Sequence, residues 1–272
     1  MGKRRMMLYF GSFNPIHKGH TALAEYAVDR DLCDEAALIV SPQNPFKESW
    51  MQAPEFDRFE MAEIACRNSR HPERMRPSIV EFLLDKPSYT INTLRHLSEN
   101  YGERMDFAIL MGSDLINQLP KWREAESIMA DYDIYVYPRP DAEVRFTTPR
   151  TVVLDDAPQY CCSSTEIREA LERGEDVSDM VDGEVLRYIR EHGLWTPARV
   201  IADLTAAIER EPDNAALYLE RGKRYFRRNE WGSAVNDFNR AREIAPDCTE
   251  AQQFIEMAEE ILEFRYKDIY NP

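Results

Sequence analysis

Short apolar runs alternate with longer amphipathic segments through the first 195 residues of the chain. Buried strands are predicted at Met6–Phe10, Ala36–Val40, Ser78–Leu83, Phe107–Met111, Asp133–Tyr137 and Thr151–Leu154. Apolar residues that recur every three or four positions predict helices at His20–Arg30, Glu55–Asn68, Thr90–Asn100 and Ser163–Arg173. The inner face of the second helix is predicted to use Phe56, Phe59, Met61, Ile64 and Ala65. Such alternation predicts an α/β fold with a parallel sheet covered by helices.

The pattern changes at Pro197, after which strand-like runs no longer occur. Four helices are predicted beyond it, at Ala198–Arg210, Ala215–Arg228, Gly232–Ile244 and Thr249–Phe264. We therefore predict two domains, an α/β domain over residues 1–196 and a small all-α domain over residues 197–272.

The helical tail contains an internal repeat. Residues 207–213 and 241–247 align with an offset of 34 positions, which is the period of the tetratricopeptide repeat. The small and aromatic residues between them fit that repeat, which the tail resembles: Tyr218, Gly222, Tyr225, Ala234 and Phe238. The alternative is an ordinary helical hairpin with a coincidental repeat. Because stable arrays need about three repeats, we expect the tail to dock on the first domain or on another subunit, as in a homo-oligomer.

The composition narrows the possible partners. The 272 residues include 34 Lys and Arg against 49 Asp and Glu, for a net charge of −15, which disfavours general binding to nucleic acid or to an anionic membrane. There is no apolar run of the ~20 residues that span a bilayer, and the N-terminus does not read as a signal peptide. The five cysteines show no CxxC spacing, so we expect reduced thiols and a cytoplasmic protein.

The segment from Gly11 to His20 carries the most informative chemistry. It lies between the first predicted strand and the first predicted helix, at an edge where α/β sheets bind ligands. The N–H groups that begin the helix favour an anion. His17 and His20, three residues apart, could grip one phosphate from the same side. The alternatives are helix capping and half of a zinc site, which would need further ligands.

Several further motifs follow in order, and together with Gly11–His20 they carry a family resemblance. They comprise Ser41–Lys47, Ser88–Thr90, Met111–Asp114, Trp122, Ser163–Arg168 and His192–Trp195. With the HxGH loop at its head, this series over about residues 4–196 resembles the nicotinate-nucleotide adenylyltransferases of the nucleotidylyltransferase superfamily. The resemblance implies a Rossmann-like parallel sheet with helices on both faces. It also implies transfer of an adenylyl group from ATP to nicotinate mononucleotide, with release of pyrophosphate and with Mg²⁺ as the cofactor that accompanies ATP.

The resemblance also assigns site residues by position. Catalytic roles fall on His17, His20, Lys47 and Arg168. ATP contacts fall on Gly11, Ser12, Phe13, His17, His20, Gly112, Asp114, Ser163, Ser164, Thr165 and Arg168. Contacts with the mononucleotide fall on Asn14, Asn44, Lys47, Ser88, Tyr89, Thr90, Trp122 and Arg139. Two positions depart from the family pattern, Phe46 where a histidine is common and Cys162 where an aliphatic residue is usual.

Some of these residues also have purely structural interpretations. Ser163–Thr165 could serve only as a helix N-cap, Asp114 could be another N-cap, and Trp122 could belong to the core. Two other functions also compete. The first is adenylyl or cytidylyl transfer to another phosphorylated substrate, and the second is a protein-binding module built around the tail.

Overall fold

The structure is a computed structural model that describes residues 2–42, 52–160 and 162–269, with side chains as far as residue 261. The chain forms two compact units, Met1–Leu194 and Trp195–Pro272. Each unit has its own hydrophobic core.

A six-stranded sheet lies at the centre of the first unit. Its strands are β1 (Arg4–Gly11), β2 (Glu35–Val40), β3 (Met75–Ser78), β4 (Met105–Gly112), β5 (Asp133–Tyr137) and β6 (Thr151–Val153). All neighbouring pairs are parallel, in the order β3-β2-β1-β4-β5-β6. Every residue of β2 is buried, as expected for a strand covered on both faces. The predicted parallel α/β sheet is confirmed.

Helices connect these strands and follow the last of them. They are α1 (Lys18–Asp29), α2 (Glu55–Arg67), α3 (Thr90–Tyr101), α4 (Ser113–Ile116), α5 (Ala125–Asp131), α6 (Ser164–Arg173) and α7 (Gly183–Glu191). The strand order runs outward from β1 in one direction through β2 and β3, and in the other through β4, β5 and β6. Because parallel crossovers are right-handed, the two directions place helices on opposite faces of the sheet. The reversal at β1 and β4 is a topological switch point, where open α/β sheets bind their ligands.

One prediction about the segments between these strands was wrong and another was right only in part. The strand expected at Ser78–Leu83 is displaced to Met75–Ser78, and Val80–Leu83 forms a 3-10 turn. A short apolar run cannot be assigned by periodicity alone. In α2, Met61 and Ala65 are buried as predicted, but Phe56 is 70% exposed and Arg58 is completely buried in its place.

The second unit is helical. It consists of α8 (Pro197–Arg210), α9 (Ala215–Arg227), α10 (Trp231–Ile244) and α11 (Thr249–Ile269). Gly222 allows α9 to approach α10, since a Cβ at this position would lie 2.6 Å from Cε1 of Phe238. The Phe238 ring stacks on that of Phe254 with centroids 5.1 Å apart. The likeness to tetratricopeptide repeats stays a prediction. No helix among the described residues is both long and apolar enough to cross a bilayer.

Candidate functional site

The loop that follows β1 is held in shape by a glycine and an aromatic wedge. Phe13 has a φ of +43° and is 1% exposed, so its ring lies beneath the loop. A Cβ on Gly11 would come within 2.9 Å of that ring, which explains why glycine is required there. The Phe13 ring meets the His20 imidazole edge to face at 5.2 Å. Through the Phe13 ring, the loop therefore helps to set the position of the His20 side chain at the end of β1.

His17 and His20 form a reciprocal cap on the first turn of α1. The Nδ1 atom of His17 accepts a hydrogen bond from the Gly19 N–H at 3.2 Å. In return, Nδ1 of His20 accepts from the His17 N–H at 3.2 Å. Because a neutral imidazole carries one proton, an accepting Nδ1 leaves that proton on Nε2. The two rings lie 3.7 Å apart, so their Nε2 atoms, which carry the proton in the neutral rings, belong to one small region. The capping interpretation of this pair is correct, and it uses Nδ1 of each ring.

Burial determines the charge of His17. The residue is 8% exposed, and this desolvation, with a smaller effect from the positive charge of Arg139, lowers the pKa of His17 to about 4. His17 is therefore neutral at pH 7 and acts as a hydrogen-bond donor. The positive charge that a phosphate would need comes from other side chains.

The N-terminus of α6 contacts this loop, although the two are far apart along the chain. Ser164 Oγ donates to the Pro15 carbonyl at 3.0 Å, and Cys162 Sγ lies 3.8 Å from Nδ1 of His17. Ser163 caps α6 through a box in which its hydroxyl accepts from the Glu166 N–H and its own N–H donates to the Glu166 carboxylate. Two helix N-termini thus converge on one loop, an arrangement that favours an anion.

Arg168 supplies a buried cation at the same place. It is 9% exposed, and its guanidinium donates to the Asn14 carbonyl at 2.7 Å and to Thr165 Oγ1 at 3.2 Å. The Nε atom of Arg168 is buried and makes no hydrogen bond to the residues that the structure describes. Burial lowers the pKa of Arg168, which an anion beside the guanidinium would reverse.

A second group of predicted residues lies at the carboxyl end of β4. Arg139 forms an ion pair with Asp114 at 3.4 Å, and a Cβ on Gly112 would lie 2.4 Å from Oδ1 of Asp114. Gly112, and not Asp114, occupies the N-cap position of α4, so the capping interpretation of Asp114 was wrong. Because Arg139, which follows β5, also acts electrostatically on His17, the ends of β1 and β5 contribute to one electrostatic environment.

Arg123, the neighbour of Trp122, contacts the Ser88–Thr90 segment. The Arg123 guanidinium lies 4.7 Å from the centroid of the Tyr89 ring, so the segment before α3 and the segment after the 3-10 turn at Leu119–Lys121 are neighbours. Tyr89 and Trp122 both pack partly buried against the core of the sheet, as the structural interpretation of Trp122 expects. Ser88 Oγ is buried with no hydrogen-bond partner among the described residues.

Arg58 is a residue of this region that the sequence analysis missed. It is 0% exposed, and within the part of the chain that the structure describes its guanidinium donates to the main-chain carbonyls of Ser12, Ser41, Pro42 and Ala53, at 2.6–3.1 Å. The loops after β1 and β2 are thereby joined. A lone arginine in an amphipathic helix gives no signal in the sequence, because its usual place is at the surface.

Two predicted residues, Asn44 and Lys47, lie outside the described residues, as does Phe46. Within the ranges that the structure describes, no three His, Cys, Asp or Glu side chains are placed to hold a metal ion.

Comparison with known proteins agrees with this geometry. Residues 8–170 match the family model described as cytidylyltransferase-like. A Bacteroides thetaiotaomicron protein named "Probable nicotinate-nucleotide adenylyltransferase" is 40% identical over 191 residues, which cover 70% of this chain and 93% of that protein. A protein of the same name from Cytophaga hutchinsonii is 39% identical over 183 residues, covering 67% of this chain and 93% of the relative.

Solved structures resemble the first unit. Two structures of Plasmodium falciparum nicotinic acid mononucleotide adenylyltransferase, one complexed with NaAD and one with APC, match with TM-scores of 0.59 and 0.58. Each match covers 71% of this chain and 97% of the other, at 18% and 17% identity. At that identity the likeness concerns the fold.

Proposed function

Because the chain belongs to the nicotinate-nucleotide adenylyltransferase family, we propose that it transfers the adenylyl group of ATP to nicotinate mononucleotide. The products are nicotinate adenine dinucleotide and pyrophosphate, so the activity belongs to NAD biosynthesis. Membership of this family confirms the resemblance inferred from the HxGH loop and from the motifs that follow it.

One observation carries the proposal, namely the paired imidazoles that share the first turn of α1. Their Nδ1 atoms accept main-chain N–H groups, so the proton of each neutral ring is on Nε2, and the two rings lie 3.7 Å apart. Arg168 and the N-terminus of α6 contact the same loop. Preorganised donors and a buried cation are what a crowded polyphosphate requires.

The chemistry asks for positioning and charge stabilisation. An oxygen of the mononucleotide phosphate forms a bond to the α-phosphorus of ATP, while the bond from that phosphorus to the bridging oxygen of the β-phosphate breaks. The electron pair leaves with pyrophosphate. The attacking oxygen is already anionic, so no general base is needed and no proton moves. The site acts by holding two anions in line and by neutralising the charge that develops on the phosphoryl oxygens.

The roles that we propose for individual residues are those that the family motifs assign. His17 and His20 donate to the α-phosphate in the transition state, and Arg168 with Ser163, Ser164 and Thr165 holds the departing phosphates. Gly11, Ser12 and Phe13 shape the phosphate loop, and Gly112 with Asp114 lies beside the adenosine.

We assign the mononucleotide to the region of Ser88, Tyr89, Thr90 and Trp122. The family resemblance adds Asn14 and Arg139 as contacts, and it adds Asn44 and Lys47, which lie outside the described residues. The proximity of Tyr89 to Arg123, the neighbour of Trp122, supports a single pocket there.

Mg²⁺ enters as part of the ATP substrate. It prefers phosphate oxygens and water over a cage of protein ligands, so the ATP phosphates would hold the ion.

Pyrophosphate release from ATP and Mg²⁺ with a panel of phosphorylated acceptors tests the proposal. Nicotinate mononucleotide should support turnover, and His20→Gln should lower it about a hundredfold. Gln at the third helical position keeps an acceptor for the cap, so the thermal midpoint should hold. Release with pantetheine phosphate and none with nicotinate mononucleotide would favour the alternative, a nucleotidylyltransferase for another substrate.

We further propose that residues 1–196 are the catalytic domain of a cytoplasmic enzyme and that residues 197–272 are a tetratricopeptide-like extension. The tail contains helices of the lengths expected for such repeats, each about 13–21 residues long. Its role is assembly, either a homo-oligomer or contact with another protein. A chain ended after residue 196 that keeps its turnover and its oligomeric state would show that the tail does not serve assembly.

A further inference from the structure

Three completely or almost completely buried polar side chains, Arg58, Glu81 and Thr93, lie between the two proposed nucleotide pockets. Their exposures are 0%, 2% and 0%. Buried charged groups are rare and are retained where a polar contact is needed. None of the three has been assigned a role in the site so far.

Arg58 holds the phosphate side. Its Nη1 atom donates to two carbonyls. These are the Ser12 carbonyl at 2.7 Å, in the loop after β1, and the Ser41 carbonyl at 2.6 Å, after β2. Nη2 donates to the Pro42 carbonyl at 2.9 Å. These acceptors are uncharged carbonyl oxygens, so they do not neutralise the positive charge that Arg58 places next to the loop after β1. It fixes the loop through several short contacts that only a planar guanidinium can make at once.

Glu81 and Thr93 hold the mononucleotide side. Thr93 Oγ1 donates to Oε1 of Glu81 at 3.0 Å, and Thr93 lies one helical turn after Thr90, where α3 begins. Burial raises the pKa of Glu81, and the side chain of Ser41, next to the same carboxyl group, opposes that effect. Ser41 therefore contacts Arg58 through its carbonyl at 2.6 Å and lies beside Glu81, whose Oε2 atom makes no hydrogen bond to the described residues.

From this continuity we propose that Arg58, Glu81 and Thr93 are positioning residues that fix the phosphate loop relative to the amino end of α3. They act through Ser41 and touch neither nucleotide. The inference rests on the proposed function, because that function places ATP at the loop and the mononucleotide at the start of α3. Its consequence is that a change at Thr93 is felt by ATP, although the Thr93 side chain faces the interior and not the phosphate loop.

The decisive variants each change one functional group of the Thr93 side chain. Thr93→Val keeps the shape of the side chain and removes the hydroxyl donor, whereas Thr93→Ser keeps the donor. Ser98→Ala is a matched control on the same helix, where Ser98 Oγ pairs with the Tyr132 hydroxyl at 3.0 Å, away from the network. Arg58→Lys keeps the charge but cannot reach all the carbonyls, and Thr93→Val remains informative if that variant does not fold.

Each variant is measured by KM for nicotinate mononucleotide, kcat, and ATP affinity from calorimetry without mononucleotide. Thr93→Val should raise KM for the mononucleotide and weaken ATP binding, each about three- to tenfold, the range expected for loss of one buried hydrogen bond. Thr93→Ser and Ser98→Ala should stay within about twofold of the native protein. Arg58→Lys should affect both ligands, and the Arg58→Lys, Thr93→Val double variant should fall short of the product of the single effects.

Two results would overturn the network. One is a Thr93→Val protein with a lower unfolding midpoint but unchanged KM and ATP affinity, which would make the hydroxyl merely structural. The other is a loss confined to the mononucleotide, which would show that Thr93 does not reach the phosphate loop. If the native protein binds ATP but releases no pyrophosphate with nicotinate mononucleotide, the proposed function fails on its own. The effect of Thr93→Val on ATP affinity then still decides whether the two regions are coupled.

Discussion

His17 and His20 each use Nδ1 to accept a main-chain N–H of the same helical turn, His17 from Gly19 and His20 from His17 itself. The two side chains thus build the start of α1 and are oriented by it. Folding uses Nδ1 of each ring and the proposed chemistry uses Nε2, so substitution can separate the two roles.

Replacement of His17 by asparagine should separate its capping role from its proposed role as a donor to phosphate. Asn is among the preferred N-cap residues, and its Oδ1 can take the place of Nδ1 while the Nε2–H donor is lost. We expect pyrophosphate release to fall about a hundredfold or more, with the unfolding free energy held within about 0.5 kcal/mol. His17→Ala should lose the same activity and also about 1 kcal/mol of stability, as measured by urea unfolding. Native-like turnover in His17→Asn would contradict the assigned donor.

The low pKa of His17 predicts a pH-dependent stability. The unfolded chain takes up a proton near pH 6.5 and the folded chain only near pH 4, so the unfolded state binds more protons between these values. The free energy of unfolding should therefore fall as the pH drops from about 6.5 to 4, by up to about 3 kcal/mol. Urea unfolding of the native protein and of His17→Asn across this pH range tests whether His17 is the cause. The free energy of unfolding should change less steeply with pH in the variant. Equal slopes would exclude His17 as the cause.

Gly19 keeps the His17 ring in place. A Cβ at this position would lie 3.0 Å from both Cε1 of His17 and Cβ of Tyr160, so Gly19→Ala should push the imidazole out of line. Turnover should fall about ten- to hundredfold. Stability should change by no more than about 1 kcal/mol, because alanine favours the helix. Gly183→Ala is the matched control, since Gly183 begins α7 with no atom near the added methyl group. Kinetics and thermal unfolding of both variants decide the matter, and equal turnover in the two would contradict the steric argument.

In the tail, Gly222 makes a comparable prediction for packing. A methyl group there would meet the Phe238 ring at 2.6 Å, so Gly222→Ala should destabilise the contact between α9 and α10 by about 1–3 kcal/mol. Gly232→Ala, in α10, meets no neighbouring atom and should leave the helices intact. Limited proteolysis followed by mass spectrometry should find new cleavage within residues 215–245 in the first variant alone. Identical cleavage patterns would mean that α9 and α10 tolerate a wider separation.

The sequence predicts the parts of this molecule that depend on local pattern. Continuous apolar runs predict β1, β2 and β4, and a polar loop between strand and helix predicts the phosphate site. Burial of Arg58 is not predictable in the same way, because it depends on carbonyls contributed by two loops. The same holds for Phe56, which periodicity places inside α2 although it is 70% exposed. The contacts of Arg168 and Ser164 with the loop near Pro15 are also invisible in the sequence, since they join segments about 150 positions apart.

That separation along the chain has a consequence for biosynthesis. The loop at Asn14 leaves the ribosome early, but its buried guanidinium partner is residue 168. On the proposed function, a nascent or prematurely terminated chain lacks Arg168 and the N-terminus of α6, and so it carries only half of the phosphate site. Turnover would then begin only when α6 has been translated and has closed onto the first loop, so that activity itself would report a completed sheet.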